Sequence, residues 1–394
     1  MAVRRSIGID ATTWWHDTGF GRFTRGLVRA MVARSSDFRY TLLLDRTPDE
    51  TIPEGADAIV VNHERSSLGA AAVGGGRAAR DVLTAARAVA AARFDLFFYP
   101  ALYSYFPLVS ATPVVVVFHD TIAERFPRLV FPSRRNELLW RVKTKLAQYQ
   151  ARRVMTVSRA SADDLERILG LSANRIDLVT EAADAIFQPL RDQDRIRQAR
   201  LRYGVPDGAM LITYIGGISP HKNLLSLVRA LPLVLGQVPY VHLAIVGGAV
   251  GKGFADNEAA LRRLIQAEGM EQHVHFTGHV EDSELVALLN GSSALALPSL
   301  WEGFGLPAVE AMACGIPVLA SHRGSLPEVV ANAGLYFDPE VPRDIADTVL
   351  RFAKDPDLQR KLSSESLGRC AHFTWERAAQ LAEQSFARAL QLQQ

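Results

Sequence analysis

The chain of 394 residues is too long for one ordinary domain and long enough to bury its own core, which predicts two or three domains. Its composition, 48% hydrophobic and 22% charged, is typical of a globular protein. Forty-four Lys and Arg residues against 42 Asp and Glu residues leave a net charge of +2, which argues against nucleic acid as a partner.

The cysteine count and the hydropathy pattern bear on location. Cys314 and Cys370 cannot form a disulfide framework, which favours a reducing compartment. No apolar run approaches the roughly 18 residues of a membrane-spanning helix, and the N-terminus lacks the apolar core of a signal peptide. We therefore expect a cytoplasmic protein, or one held by surface contact on the inner face of the membrane.

Short β-branched or aromatic runs alternate with longer amphipathic runs along the chain. The predicted strands cover 6–10, 39–44, 58–61, 95–99, 113–118, 153–157, 176–179, 210–215, 242–246, 274–277, 294–297 and 317–320. The predicted helices cover 22–33, 77–92, 134–150, 222–235, 258–268, 282–290 and 307–313. This alternation, repeated twice, predicts an α/β protein with two doubly wound, Rossmann-like domains.

The boundary between the two series is polar and rich in charge. The regular pattern stops near residue 181 and restarts at Met210. We predict an N-terminal domain over 1–188, a linker over 189–206 and a C-terminal domain over 207–373. The last helical stretch, 374–394, is expected to pack back on the N-terminal domain.

Positive charge is concentrated in the first domain, at residues 126–153. Eight basic residues face a single acidic one there, Glu137, and apolar residues including Trp140 are interspersed among them. One interpretation is a solvated helix face whose apolar side meets the core. The other is a surface that binds anionic lipid or a phosphate-bearing acceptor.

The segment 298–315 carries the most informative pattern. It follows a predicted strand and opens a predicted helix, with Pro307 at the first helical position. Backbone amides at a helix start, preceded by glycines that let a ligand approach, form an anion site suited to a diphosphate. The residues that this assigns to the anion site are Gly303, Phe304, Gly305 and Leu306.

Two carboxylates flank this turn. Glu302 lies in the loop before the helix, and Glu310 lies about one turn inside it. A carboxylate beside a diphosphate is poorly placed to hold phosphate, but it accepts hydrogen bonds from hydroxyl groups. A nucleotide sugar, with a hydroxyl-rich ring at each end of a diphosphate, meets both requirements. The alternative is a pair of solvent-facing glutamates on an ordinary α/β helix.

The stretch 296–328 resembles the donor-site signature of glycosyltransferase family 4, which contains retaining enzymes of the GT-B fold. The match runs as Glu-Gly-Phe-Gly-Leu-Pro-Ala-Val-Glu-Ala-Met-Ala-Cys-Gly over 302–315 and continues through Pro317-Val318 and Leu326-Pro327-Glu328. Weaker matches lie at 19–22, 119–120, 157–158, 220–223 and 276–278.

The resemblance implies a GT-B architecture in which two domains face each other across a cleft. It implies that Glu310 binds the donor ribose and that Glu302 holds hydroxyls of the transferred sugar. It also implies that the amides around 304–306 meet the diphosphate.

Lys222 follows a predicted strand and is expected to begin a helix. Beside two phosphates its charge would stabilise the leaving group; a lysine at an exposed helix start is the alternative. The resembled family often has an Arg after the strand glycine and Arg-Lys at the helix start. Here Gly217, assigned to donor binding, and His221 occupy those places. Whether His221 or Arg323 replaces the usual phosphate-binding Arg stays open.

Gly19 and Gly21 lie in a segment, 18–26, that is predicted as the loop between the first strand and the first helix. Its spacing is not a dinucleotide fingerprint, because the third glycine would fall at Thr24, so no nicotinamide cofactor is expected. The resemblance implies that this loop reaches the donor phosphates and the acceptor. A tight turn with only a structural purpose is the alternative.

His119 follows the apolar strand 113–118, and open α/β sheets bind ligands at the carboxyl ends of their strands. The resemblance implies that His119 lies near the anomeric carbon of the sugar and orients its hydroxyls. A histidine at a strand end with no chemical role is the alternative.

Together with these patterns, the resemblance implies a retaining glycosyltransferase that moves a sugar from a nucleoside diphosphate, of the GDP-mannose or UDP-sugar kind, to a saccharide or lipid-linked acceptor. The predicted catalytic residues are His119, Lys222 and Glu302, with no metal and no cofactor. A nucleotide-sugar epimerase of the same architecture and a catalytically silent GT-B subunit are the alternatives.

Overall fold

The computed structural model describes residues 4–16, 18–34, 36–61, 79–248 and 257–391. The chain folds into two compact units. The first unit contains the described residues from 4 to 182 and from 374 to 391, and the second contains those from 183 to 373. The first two residues of the helix predicted over 77–92 and the last three of the stretch 374–394 lie outside the described residues.

The first unit is built on a seven-stranded sheet in which all neighbouring strands are parallel. Its strands are β1 Arg5–Asp10, β2 Phe38–Leu44, β3 Asp57–Val60, β4 Leu96–Tyr99, β5 Val114–Val117, β6 Ala151–Thr156 and β7 Ile176–Leu178. The order across the sheet, β3-β2-β1-β4-β5-β6-β7, reverses direction between β1 and β4. β4 and β5 are buried along their whole length, as expected for strands covered by helices on both faces.

Helices connect these strands. In chain order they are α1 Gly19–Ala33, α2 Ala79–Ala92, α3 Ile122–Arg125, α4 Pro127–Val130, α5 Arg134–Gln150 and α6 Arg159–Leu169. Ser133 caps α5 by accepting a hydrogen bond from the amide of Asn136, and Ser158 caps α6 in the same way from Ser161. Helix α5 has the bounds that the sequence predicts.

The second unit repeats the plan with a six-stranded parallel sheet. Its strands are β8 Met210–Ile215, β9 Val241–Val246, β10 Val274–Gly278, β11 Ala294–Leu297, β12 Val318–Ser321 and β13 Gly334–Phe337. Its helices are α7 Gln193–Arg202, α8 Leu224–Leu235, α9 Glu258–Ala267, α10 Asp282–Asn290, α11 Leu306–Ala313, α12 Leu326–Val330, α13 Pro342–Ala353 and α14 Pro356–Cys370. The order β10-β9-β8-β11-β12-β13 reverses between β8 and β11. The predicted α/β class with two doubly wound sheets is confirmed.

The last helix, α15 Trp375–Leu390, packs on the first unit. Its Glu383 accepts hydrogen bonds from Arg34 Nε at 3.0 Å and from the Tyr40 hydroxyl at 2.8 Å. The Trp375 ring lies so close to Gly26 of α1 that a Cβ there would be 2.2 Å from it, so this crossing requires glycine. Ser385 donates to Asp177 Oδ2 at 2.6 Å, which joins α15 to the end of the sheet.

The segment 189–206, predicted as a linker, contains α7, which belongs to the second unit. Asp192 caps the helix by accepting from the amide of Arg195 at 3.0 Å. Only Ile196 and Ala199 of α7 are buried, so charged residues dominate its sequence and hide its amphipathic period.

Strand β13 was not predicted from the sequence, because it is a short edge strand and is only partly buried.

The basic stretch 126–153 is less uniformly exposed than its sequence indicates. Arg153 points inward and donates to both carboxylate oxygens of Asp177, and Lys143 donates to the backbone oxygen of Tyr103. Arg134, Arg135 and Arg141 are exposed on α5. Among the residues that the structure describes, no helix has the length and apolar character needed to cross a membrane.

Candidate functional site

The second unit has its switch in strand order between β8 and β11, which are neighbours in the sheet. Crevices outside the carboxyl ends of strands at such a switch are the usual ligand sites of open α/β sheets. Gly216 and Gly217 follow β8, and the loop 298–305 follows β11. The residues of this unit that the sequence predicts to bind the donor therefore lie in the segments that follow the two strands on either side of the switch.

The central contact is an ion pair between Lys222 and Glu302, which are 80 residues apart in the chain. Lys222 Nζ lies 2.7 Å from Glu302 Oε1 and 2.9 Å from Oε2, and Ser299 Oγ donates to Oε1 at 2.6 Å. Burial opposes ionisation of the Glu302 carboxyl, but Lys222 and the Ser299 hydroxyl hold its pKa below the ordinary value. Glu302 is therefore a buried, ionised and oriented acceptor at neutral pH.

The backbone around Glu302 is held by residues that follow β12. Ser325 donates from its amide to Glu302 O at 3.2 Å and from its hydroxyl to Phe304 O at 2.8 Å. Gly324 has a φ of +64°, and a Cβ there would lie 2.8 Å from Glu302 O. Ser299, Gly324 and Ser325 were not predicted as site residues, although all three lie inside the stretch that resembles the family signature.

Helix α11 begins one residue earlier than predicted, at Leu306, because Gly305 adopts a left-handed conformation with a φ of +91° and forms its N-cap. The first amides of a helix have no acceptor within the helix and favour an anion. Glu310 is the fifth residue of α11 and only 3% exposed. Burial raises the pKa of the neighbouring Cys314 thiol to about 12, and the charge of Glu310 adds to this effect, so the thiol is not nucleophilic.

Lys222 ends a 3-10 turn, Pro220–Lys222, and the α-helix predicted to begin there starts two residues later, at Leu224. Asn223 separates the two with a φ of +56°, and its side-chain amide donates to Pro298 O at 3.1 Å and to Pro339 O at 2.6 Å. The amide of Leu300 donates to His221 O at 2.8 Å. The turn that carries Lys222 is thus hydrogen-bonded to the loop that carries Glu302.

The sequence left open whether His221 or Arg323 replaces the phosphate-binding Arg of the resembled family. Burial, and then the charge of Lys222, lowers the pKa of His221 to about 4, so His221 is neutral at physiological pH. Arg323 is cationic but lies 3.3 Å from Asp338 Oδ1 and 2.6 Å from Glu340 Oε2. Of the three, Lys222 is the cation that directly contacts the predicted donor residues.

Gly217 lies at the turn that follows β8. The hydroxyl of Tyr214 donates to Gly217 O at 2.7 Å, and Gly216 beside it has a φ of +149°. A Cβ on Gly247, which follows β9, would lie 2.3 Å from Gly216 O. This packing of glycine backbone against glycine backbone fixes the turn and leaves no room for side chains.

The first unit holds His119, which is 8% exposed at the end of β5. Its Nδ1 lies 3.1 Å from Glu181 Oε1, and its Nε2 lies 2.9 Å from Pro100 O. Because Pro100 O can only accept, Nε2 carries a hydrogen and donates it. A sugar hydroxyl that binds the ring therefore has to replace one of these partners. Glu181 was not predicted as a site residue. The sequence feature that could have indicated it is a carboxylate shortly after β7, at the same edge of the sheet.

Gly19 and Gly21 do not form the predicted loop; they are the first and third residues of α1. A Cβ on Gly21 would lie 2.0 Å from His16 O, whereas one on Gly19 would meet nothing within 4 Å. The helix includes both glycines although glycine has a low helix propensity. Within the helix, Phe20 and Phe23 pack against the His119 ring, at centroid distances of 5.1 and 4.6 Å. The start of α1 and His119 thus come together in the first unit.

Two family models match the chain, one on each side of the boundary. The model described as Glycosyltransferase Family 4 matches residues 18–185, and the model described as Glycosyl transferases group 1 matches residues 195–367. The chain belongs to glycosyltransferase family 4. The family predicted from the donor-site signature is therefore confirmed.

Among curated relatives, the serotype-specific mannosyltransferase WbdA of Escherichia coli is 27% identical over 410 residues, which cover 95% of this chain and 47% of that protein. The O-antigen chain mannosyltransferase B of Escherichia coli is 30% identical over 226 residues, which cover 57% of this chain and 58% of that protein. This family 4 chain spans about half the length of the curated relatives it matches.

A solved structure of HepE from Anabaena in complex with UDP-glucose has a TM-score of 0.75 to this family 4 chain. The two are 19% identical, and the match covers 97% of this chain and 99% of that one. At this identity the likeness establishes the fold, and the GT-B class is confirmed.

The Lys222–Glu302 pair generates a prediction for stability. Lys222→Met leaves the Glu302 carboxylate buried without its counter-ion, so the free energy of unfolding at pH 7 should fall by about 3 kcal/mol. Lys361→Met, an exposed lysine on α14, is the matched control and should cost less than about 0.5 kcal/mol. Urea unfolding of both variants measures the difference.

The effect of pH on that difference has a definite sign. In the wild type the pKa of Glu302 is lowered on folding, so its stabilising effect is present above pH 4.5 and is lost as the pH falls below it. Without Lys222, burial raises that pKa, and the folded variant gains stability relative to the wild type as the carboxyl is protonated. The difference should narrow between pH 7 and pH 4.5; a constant difference would contradict this role for the pair.

Proposed function

We propose that this chain is a retaining hexosyltransferase that moves a sugar from a nucleoside diphosphate donor to a saccharide or lipid-linked acceptor, in the synthesis of a cell-surface polysaccharide or glycoconjugate. The observation that carries the proposal is the buried Lys222–Glu302 pair beside the N-terminus of α11. A nucleotide sugar carries charged phosphates and many hydroxyl groups. The Lys222 cation and the helix start match the phosphates, and the carboxylates of Glu302 and Glu310 match the hydroxyl groups.

The parts of the donor have separate binding groups in this proposal. The amides of Gly303, Phe304, Gly305 and Leu306 bind the diphosphate, and Gly217 lets the backbone approach it. Glu310 accepts from the ribose hydroxyls, and Glu302 accepts from hydroxyls of the transferred sugar. Lys222 turns from Glu302 toward the phosphates when the donor binds and stabilises the charge that develops on the leaving diphosphate.

The acceptor side is assigned to the first unit. His119 orients sugar hydroxyls through one of its ring nitrogens, and Gly19 at the start of α1, where a Cβ would meet nothing within 4 Å, gives the ligand access to the backbone. Gly21 packs on His16 O and supports this turn. We propose no covalent nucleophile, so configuration is retained by attack on the face from which the diphosphate leaves. Neither a metal nor a cofactor has a role in this proposal, because Lys222 and the amides meet the phosphate charge.

The names of the relatives support a hexose donor. WbdA is named a mannosyltransferase, and the HepE structure contains UDP-glucose, which together support a GDP-mannose-like or UDP-sugar donor. A nucleotide-sugar epimerase would need no acceptor, so dependence of product formation on an acceptor separates it from a transferase. A silent binding subunit would be expected to lack Lys222, Glu302 or Glu310, and all three residues are present.

The direct test is a transfer assay with a panel of UDP- and GDP-hexoses and mannose-terminated acceptors, in which NMR determines the anomeric configuration of the product. We expect acceptor-dependent transfer from one donor, with an α-linked product from an α-linked donor and unchanged activity in EDTA. Inverted product would contradict retention, and loss of activity in EDTA with recovery on adding Mg²⁺ or Mn²⁺ would contradict the metal-free assignment. Epimerised donor in the absence of acceptor would indicate the epimerase.

The two carboxylates should affect different kinetic parameters. Glu310→Ala removes a ribose contact that is alike in the ground and transition states, so it should raise the donor KM roughly tenfold and leave kcat nearly unchanged. Glu302→Ala should lower kcat by roughly a hundredfold, because the transferred sugar changes shape and charge during reaction. Glu268→Ala, an exposed carboxylate directly after α9, is the control. Equal effects of both site substitutions on both parameters would contradict the division of roles.

We further propose that the first unit contacts an anionic membrane through α5 of the segment 126–153. Five large apolar residues of this helix are exposed by 42 to 89%: Leu138, Leu139, Val142, Leu146 and Tyr149. Arg134 and Arg135 are exposed at the start of the same helix. An exposed apolar strip beside basic residues is the pattern of helices that lie in the membrane interface.

Sedimentation with lipid vesicles tests this contact. Vesicles rich in acidic phospholipid should retain the protein at low salt and release much of it at high salt. The double substitution Arg134→Gln and Arg135→Gln should weaken the partition about 30-fold, since each basic residue near such a surface contributes about 1 kcal/mol. Arg343→Gln with Arg360→Gln, in α13 and α14 of the second unit, is the charge-matched control. Equal partition of the two double variants would show that α5 is only a solvated helix face.

A further inference from the structure

A pocket of about 310 Å³ lies in the first unit, between the short helices α3 and α4, one face of α5 and the end of α6. Its volume is at the lower end of the range of small-molecule sites. The apolar residues that line it are Ala123, Pro127, Phe131, Trp140, Ile168 and Leu169. None of these residues has a role in the donor site or in the contacts of His119.

The wall of the pocket is held in place by hydrogen bonds. Trp140 Nε1 donates to Glu124 Oε1 at 2.7 Å, and Thr144 Oγ1 donates to the same oxygen at 3.3 Å. Glu124 is the only carboxyl among the lining residues, and burial raises its pKa. The indole ring is therefore fixed in orientation and presents an apolar surface to the pocket.

Two cations lie at the same pocket, Arg141 and Lys145 of α5. The Arg141 side chain is 65% exposed and lies 2.7 Å from Glu137, and Lys145 Nζ donates to Gln148 Oε1 at 3.2 Å. Both residues are exposed, so the cations lie at the rim of the pocket. An apolar interior with cations on one side suits a hydrocarbon chain joined to an anionic head group.

A continuous run of aromatic rings leads from the pocket to His119. Trp140 and Tyr103 have ring centroids 4.9 Å apart, Tyr103 and Phe20 are 4.4 Å apart, and Phe20 lies 5.1 Å from the imidazole of His119. All of these residues belong to the first unit. The pocket is thus connected by neighbouring side chains to the residue assigned to the acceptor.

We propose that this pocket is the lipid subsite of the acceptor and that the acceptor is a saccharide joined through phosphate to a long-chain alcohol. The first part of the chain fills the space between Trp140 and Leu169, and Arg141 and Lys145 bind the phosphate. The saccharide extends along Tyr103 and Phe20 to His119. This assignment rests on the proposed glycosyl transfer and selects the lipid-linked class from the two acceptor classes named above.

Calorimetry with dodecyl phosphate, below its micellar concentration, tests the pocket without requiring turnover. We expect saturable binding to the wild type and at least tenfold weaker binding to Leu169→Trp, which fills the pocket from its partly exposed rim. Leu139→Trp, on the solvent-facing side of α5, is the matched control and should bind as the wild type does. Equal affinity of these two variants, with unchanged urea unfolding, would overturn the site.

The head group is tested in the same way. Arg141→Gln with Lys145→Gln should weaken dodecyl phosphate binding at least tenfold, whereas Arg152→Gln, an exposed arginine outside the pocket, should not. Inorganic phosphate and the neutral amphiphile dodecyl maltoside should each bind at least tenfold more weakly than dodecyl phosphate. If either binds as tightly, the pocket does not combine a chain site with a phosphate site, and the proposal fails.

Transfer assays then separate this proposal from the proposed function. The same saccharide is offered free and joined through phosphate to a dodecyl chain. The pocket predicts at least tenfold higher kcat/KM for the linked form, and Leu169→Trp should remove that advantage without changing transfer to the free form.

Transfer to both forms with equal kcat/KM would overturn the lipid subsite alone. No transfer from any donor to either form would instead overturn the proposed function. Dodecyl phosphate binding with no advantage in transfer would mean that the pocket holds bulk lipid, which also contradicts the acceptor assignment.

Discussion

The reversal of strand order between β8 and β11 is the constraint on which the candidate site of the second unit depends. It places the loops after these strands side by side and brings Lys222 within 2.7 Å of Glu302. Neither charge could be buried alone without a cost of several kcal/mol, so the pair makes the burial of both tolerable. A charged site that is mostly hidden from water is therefore a direct consequence of the topology.

Small polar residues and glycines convert that topology into a defined geometry. Ser299 and Ser325 hold the carboxylate and the backbone of Glu302, and Asn223 ties the Lys222 turn to the loop after β11. Gly324 is required because its φ is positive and a Cβ would collide with Glu302 O. These residues form no part of the proposed chemistry, yet they determine where the charges lie. Substitution of any of them would move the site without removing a charged group from it.

The first unit uses the same principle with different side chains. His119 lies at the end of β5, and its partner Glu181 follows β7, two strands away in the same sheet. The aromatic side chains of α1 pack on the imidazole and continue as a line of rings to Trp140. Hydrogen-bond contacts at both ring nitrogens hold the His119 imidazole in one orientation.

Much of this structure was accessible from the sequence, because buried parallel strands have apolar runs that are hard to mistake. The strand 210–215 and the helices 134–150 and 282–290 agree with the structure residue for residue. The signature over 302–315 also placed Glu302 before a helix and Glu310 inside it, as the structure has them, because it is a local pattern.

What the sequence did not reveal depends on contacts between distant segments. Neither the Lys222–Glu302 pair nor the His119–Glu181 pair could be inferred, because each joins residues more than 60 positions apart and no local pattern reports it. The helical start at Gly19 depends on tertiary packing that overrides the low helix propensity of glycine. Helix α7 was missed because only two of its residues are buried.

The measurement that tests the central claim most directly is the affinity of UDP and GDP for the wild type and for Glu302→Gln, determined by calorimetry. If Glu302 holds the Lys222 ammonium in an ion pair until a donor binds, replacing Glu302 by the neutral glutamine removes that ion pair. The ammonium is then available to bind phosphate. We then expect the nucleoside diphosphate to bind severalfold more tightly to the variant while glycosyl transfer falls by at least tenfold. A loss of diphosphate affinity in Glu302→Gln, with Lys222→Met binding the diphosphate as tightly as the wild type does, would contradict this role for the pair.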